Sequence, residues 1–167
     1  MIIKNTPYRR TCKGLSDIVI AMLTTAHAVT GATIGVLVPN PWVAVPLAIG
    51  SHFILDRVPH WQETLAPYTP THKTYVRIPI DLTLSLILVT IVASWHPSAA
   101  LSVWLGAVFA NAPDLDTFTI IMPHLRQGFI ARFYQWHSDI QRETSSMWGV
   151  ATQVGLVIAC IGLLQPH

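Results

Sequence analysis

Five apolar stretches divide the chain, over 18–38, 41–58, 78–95, 98–113 and 146–164. Each lies near the roughly 17–25 residues that a hydrocarbon layer of about 30 Å demands of a helix. Together they take up more than half of the 167 residues. Hydrophobic residues make up 51% and charged residues only 11%, with a mean hydropathy of +0.48, far from the composition of an ordinary soluble domain. The expected fold class is therefore all-α. It is an integral membrane bundle of about five transmembrane helices forming one domain over 22–167, after an N-terminal cytoplasmic or interfacial segment at 1–21. The first span is too long, and too polar in its middle, for a cleaved signal peptide, and Met22 offers an alternative start. Pro46 and Pro79 fit inside membrane helices when neighbouring helices satisfy the freed carbonyls.

The loops set the orientation. Lys4, Arg9, Arg10 and Lys13 precede span one, Arg57, Lys73 and Arg77 separate spans two and three, and Arg126, Arg132 and Arg142 separate spans four and five. The turns near 39–40 and 96–97 carry no basic residue. An N-in, C-out chain of five spans puts all ten basic residues on the cytoplasmic side, as the positive-inside rule requires. Trp42 and Trp95 then mark the outer interface, and Trp61, Trp136 and Trp148 the inner one. A net charge of +2, with no long basic run, excludes nucleic acid as a partner and leaves membrane lipid, a membrane protein or a second copy. Cys12 and Cys160 form neither a CxxC spacing nor a disulfide framework.

Against this apolar background the stretch GSHFILDRVPH, residues 50–60, stands out. His52 and Asp56 are four apart, so on a helix they share a face. With alternating spans, His27, His52, Asp56, His60, Asp81, Asp114, Asp116 and His137 all fall near the inner end of the bundle. Ionisable groups at that depth are costly and face a bundle interior or a wet cavity. Imidazoles and carboxylates without a thiolate suit zinc, with manganese or iron as the other candidates, in a site of one to three ions. The expected metal ligands are His27, His52, Asp56, Asp81, Asp114 and His137, with His60 and Asp116 as proton carriers. A divalent ion there supplies Lewis acidity and acidified water to a phosphoester.

Each residue also has a structural role open to it. His52 and Asp56 can form a simple hydrogen-bonded pair, and His27 can bond a neighbouring helix. Asp81 can cap span three or pair with Arg77, and Asp114 can cap the segment after it. Gly31 and Gly35 form a GxxxG, read as plain helix packing. The stretch 61–76 reads as an irregular loop, and His72, His96, His124 and His167 as solvated. Between spans four and five, FTIIMPHLRQGFIARFYQWH reads as amphipathic helix on the inner surface, beside the cluster.

TAHAVTGATIG, NPWVAVPLAIGSHFILDRVPHW, APDLD and WHSDIQ together resemble a family of small bacterial membrane-bound metal-dependent hydrolases, which includes the LexA-binding inner-membrane hydrolases. The resemblance covers about 22–164. It implies a helical bundle in the bacterial inner membrane with a metal site on His27, His52, Asp56, Asp114 and His137. The HxxxD is also similar to the metal-binding helix of zinc-dependent phospholipase C, although no second HxxxE/D helix is present here.

Three functions follow as alternatives. One is a membrane-embedded hydrolase of a phosphoester on a lipid or lipid-linked head group at the cytoplasmic leaflet. Another is a non-catalytic subunit whose metal clamps the bundle. The last is a metal or proton transporter, disfavoured by outer half-spans nearly bare of polar groups. The orientation is tested by reporter fusions: one after residue 97 is expected outside and one after Pro70 inside, and the reverse pattern would remove the cytoplasmic site.

Overall fold

Small side chains on α1 determine how the bundle packs. The computed structural model describes residues 23–61, 72–117, 122–142 and 144–166, and among them every regular element is helical. The order is α1 (Leu23–Leu37), α2 (Pro41–Leu55), α3 (His72–Trp95), a 3-10 turn (Pro97–Ala99) leading into α4 (Ala100–Ala110), 3-10 segments at Ala112–Thr117 and Pro123–Leu125, α5 (Gly128–Ile140) and α6 (Ser146–Leu164). α1 is central and packs against α2, α3, α4 and α6. A Cβ at Gly31 would collide with the Gly106 carbonyl of α4, and one at Gly35 with the Ser102 carbonyl. The GxxxG is therefore a packing face, as read from the sequence, and it meets a second small-residue row on α4.

The interior follows the same logic. It is filled by Ala26, Val29, Ala32, Ala44, Ala48, Val89, Val92, Val103, Ala107 and Ala110, while Leu82, Leu86, Leu101, Val108, Ile158 and Leu163 lie on the outside. Small residues within and large apolar ones without are the distribution of helices solvated by lipid, where close backbone approach rather than hydrophobic expulsion holds the bundle. In water such an apolar exterior would be an aggregation surface.

Two helical segments, Tyr75–Trp95 and Ser146–Leu164, are long and apolar enough to cross a membrane, which points to membrane association. Of the five expected spans, these two reach full length among the described residues, and the other three form shorter helices. α1 and α2 have 15 residues each and α4 has 11. At about 1.5 Å per residue these fall short of a roughly 30 Å layer. α2 stops at Leu55 instead of 58, and Asp56 is its C-cap. Its start is well specified: Pro41 occupies the first turn, and the Trp42 N–H donates to the Asn40 side chain at 3.0 Å. The loop expected at 61–76 is shorter, since α3 begins at His72. Residues 62–71 and the N-terminal segment 1–21, with Cys12 and Met22, lie outside the described residues. His96 is not simply solvated, because its Nε2 donates to the Leu164 carbonyl at 3.0 Å.

Gly31→Leu should force α1 from α4, and overpacking a tight contact typically costs about 1–3 kcal/mol. Gly162, with nothing within 4 Å of its Cβ position, should accept alanine without loss. Thermal melts in detergent test this, with a drop of several degrees expected for the first variant only. Equal melts would mean that the α1–α4 contact is not tight.

Candidate metal centre

α2 ends where its polar residues begin. His52 and Asp56, 0% and 1% exposed, stand one turn apart at its C-terminal end. Three other elements meet them: α1 brings His27, the 3-10 segment after α4 brings Asp114 and Asp116, and α5 brings His137. Asp56 lies between three imidazoles. Its Oδ1 is 3.4 Å from His27 Nε2, and its Oδ2 is 3.2 Å from His52 Nε2 and 2.8 Å from His137 Nε2. His52 Nε2 is also 3.5 Å from Asp114 Oδ1 and 3.1 Å from His137 Nε2. The rings of His27 and His52 stack at 4.2 Å between centroids, and Phe53 and Phe133 wall in His137.

The far side of two of the rings fixes their tautomers. His52 Nδ1 donates to the Ala110 carbonyl at 2.7 Å, and His137 Nδ1 donates to Asp116 Oδ2 at 2.7 Å. Each Nδ1 therefore carries a hydrogen, and each Nε2 presents its lone pair or a second proton to the cluster. Two imidazole lone pairs and the carboxylates of Asp56 and Asp114 thus converge. Acceptors placed so close repel one another unless a positive charge sits among them. A proton on His137 is one such charge. Burial opposes it, but the hydrogen bonds that His137 donates to Asp116 and Asp56 outweigh that and raise its pKa from 6.5 to about 9. A divalent cation is the other, and the carboxylate or carbonyl behind each histidine is the support that metal-bound imidazoles use.

The donor set fits a borderline divalent ion. Among the described residues two groups place their ligand atoms within 4.8 Å of one another: His27, His52 and Asp56, and His52, Asp114 and His137. They share His52, whose single free nitrogen binds one ion at a time. The two groups therefore form one connected set of residues that could hold a metal ion. No third set is found among the described residues. Asp114, with 36% of its side chain exposed, is the open edge of an otherwise closed cluster.

Asp81, Asp116 and His60 stand outside these two ligand groups. Asp81 is not brought to the cluster. Its carboxylate accepts from the Thr24 N–H at 2.6 Å, the Thr25 N–H at 3.3 Å and the Thr25 hydroxyl at 2.6 Å. It caps the start of α1 from α3, where orphan N–H groups and the helix dipole favour an anion. Asp116 accepts from His137 Nδ1, behind the ring rather than among the ligand atoms. His60 stands off from the ligand atoms, with Nδ1 donating to the Val58 carbonyl at 2.9 Å. Its backbone holds the site together: His60 N–H donates to the Arg142 carbonyl at 3.1 Å, and the Arg142 N–H donates to the Asp56 carbonyl at 2.9 Å. The amphipathic stretch forms α5, which carries His137 inward and exposes Phe129, Ile130 and Trp136. Residues 118–121 of it lie outside the described residues. Sequence reasoning missed Thr25, the Ala110 carbonyl and Gln153. Of these only Thr25, a polar residue two before His27 on an apolar helix, carries a visible signal.

Comparison of the chain with protein-family models, curated proteins and solved structures finds no match.

Loss of Asp56 should empty the centre, because it contacts all three imidazoles. Elemental analysis of protein purified without added metal should find bound divalent ion in the wild type and none in Asp56→Ala or His52→Ala. Asp81→Asn should keep its metal while melting lower, since losing a cap costs about 0.5–2 kcal/mol. Metal lost equally in Asp81→Asn would place Asp81 among the ligands after all.

Proposed function

We propose that the protein is a membrane-embedded, metal-dependent hydrolase acting on a phosphoester of a lipid or lipid-linked head group. The observation that carries this reading is the convergence of His52 Nε2 and His137 Nε2 on Asp56 Oδ2, with His27 Nε2 at Oδ1 and with Nδ1 of His52 and of His137 already engaged behind the ring. Zinc fits such a nitrogen and oxygen donor set, and a divalent ion there supplies Lewis acidity toward a phosphoryl oxygen and acidifies water. His27, His52, Asp56, Asp114 and His137 are the ligand candidates. They are also the residues implied by the resemblance to the membrane-bound metal-dependent hydrolases.

The membrane setting is part of the proposal. Five apolar helices, three of them short, run with the N-terminus inside, so that the cluster opens toward the cytoplasmic leaflet of a bacterial inner membrane. The short α1 packs against both α3 and α6 and the short α4 against α3, while α2 packs on α1 and α4. Asp114 faces outward at the mouth, and α5 lies beside it with Phe129 and Trp136 exposed, where an interfacial helix would meet lipid. A head group arriving along that surface reaches the cluster at Asp114 first.

One observation favours the alternative of a structural clamp: His27, His52, Asp56 and His137 are all buried. Closed shells are structural and catalytic ones keep a position open, and the exposed edge at Asp114 supports the hydrolase reading. A screen of zinc-loaded protein against phospholipids, lipid phosphates and generic phosphoesters applies the test. Turnover should appear with at least one class and fall to background in Asp56→Ala and Asp114→Ala, while His96→Ala stays within a few-fold of wild type. Activity surviving in Asp56→Ala would be contamination. A zinc-replete protein inert toward every class would support the clamp.

A further inference from the structure

His27 differs from the other two histidines of the cluster. The Nδ1 atoms of His52 and His137 have acceptors behind them, whereas His27 Nδ1 is buried without a hydrogen-bond partner. A second orphan lies in the same region, the Oε1 of Gln153 on α6. Both residues are deeply buried, at 7% and 6% exposure, and both line one cavity of about 30 Å³, with His60, Val58, Thr152 and Leu156 around it. Buried polar atoms left without partners are rare, and such pairs are commonly satisfied by a shared water. A space of roughly 10–15 Å³ by this measure holds one water, so the cavity is large enough.

The glutamine is held so that its oxygen is the spare atom. Its Nε2 donates to the Trp61 carbonyl at 3.3 Å, and α6 is anchored to the same segment by the Thr152 hydroxyl, which donates to the Pro59 carbonyl at 2.9 Å. Gly149 allows this approach, because a Cβ there would strike the Trp61 backbone.

We propose that Gln153 is a positioning residue for the metal centre, joined to His27 through a water in this cavity. The His27 Nδ1–H donates to the water and the water donates to Gln153 Oε1, which leaves the His27 Nε2 lone pair facing Asp56. All three imidazoles then share one plan, with Nδ1 tied to an acceptor behind and Nε2 turned to the ion. The backing group is a carbonyl for His52, a carboxylate for His137 and a bridged amide for His27. This inference rests on the metal reading of the cluster.

The test uses the full chain in detergent with Zn²⁺ alone as probe. Gln153→Met keeps the length of the side chain and removes the acceptor, whereas Gln153→Glu keeps an acceptor. Loss of such a supporting group typically weakens metal binding about 10–100-fold. That loss is expected in Gln153→Met, with Gln153→Glu within a few-fold of wild type. Nitrogen-15 spectra of histidine-labelled, zinc-loaded protein should show His27 protonated at Nδ1 in the wild type and a changed His27 signal in Gln153→Met. A high-resolution structure of the metal-free wild type should show water density bridging His27 Nδ1 and Gln153 Oε1. Unchanged zinc affinity in Gln153→Met, equal loss in both variants, or no bridging density would overturn the proposal. A wild type that binds no zinc would overturn the metal reading instead, and the water density would still decide the bridge.

Discussion

The carboxylate of Asp56 between three imidazoles is the contact on which the rest of the polar structure depends. It joins α1, the end of α2 and α5 through side chains. Its backbone carbonyl accepts from Arg142 at the start of the segment leading to α6. Taking such groups out of water is costly, and only mutual satisfaction offsets that cost. Removing Asp56 would leave His52 Nε2 and His137 Nε2 facing each other across 3.1 Å, with the half-exposed Asp114 as the remaining carboxylate beside His52. Removing one histidine would leave the carboxylate bonded to the others. The asymmetry follows from geometry, because the aspartate is the hub and the histidines are the rim.

Much of this was legible before any coordinates. Residues four apart on a helix face one another, so His52–Asp56 declared itself, and alternating spans put His27, Asp114 and His137 at the same end. The misreadings have a common source. Asp81 lies at the right depth and has the right chemistry, but depth says nothing about angle. From α3 it meets the first turn of α1, whose N–H groups compete for an anion as effectively as an ion does. In APDLD the spacing does not say which carboxylate faces which ring: Asp116 stands behind His137 and Asp114 beside His52. Gln153 lines a cavity with residues of α1, the end of α2 and the segment after it, a grouping that no local pattern on α6 encodes.

Helix lengths were misjudged for a different reason. Apolar composition continues past the point where a helix stops: Asp56, Arg57 and Val58 follow α2 as turn residues, although Val58 extends the hydrophobic run. Hydropathy measures what the surroundings tolerate, whereas helix ends are set by caps and by tertiary bonds. The same effect hid the early start of α3, whose first turn from His72 holds polar residues in helical conformation.

The bundle's packing and its chemistry are one feature seen at two depths. On α1, His27, Gly31 and Gly35 recur every four residues and share a face, and on α4 so do Ser102, Gly106 and Ala110. Gly31 lies against Gly106 and Ala110, and Gly35 against Ser102, so the two rows run side by side. The rows begin with the Ser102 hydroxyl on the Pro39 carbonyl, and they end with the Ala110 carbonyl accepting from His52. Close approach of two backbones thereby sets the depth of His27 and the acceptor behind His52 in a single step. A larger residue anywhere along either row would spread the helices and also move the histidines, because nothing flexible lies between the packing contact and the ligand atoms. This is why a site of such cost can be built on a core made almost wholly of alanine, valine and glycine. The small side chains bring the backbones close enough for a main-chain oxygen to orient a ring.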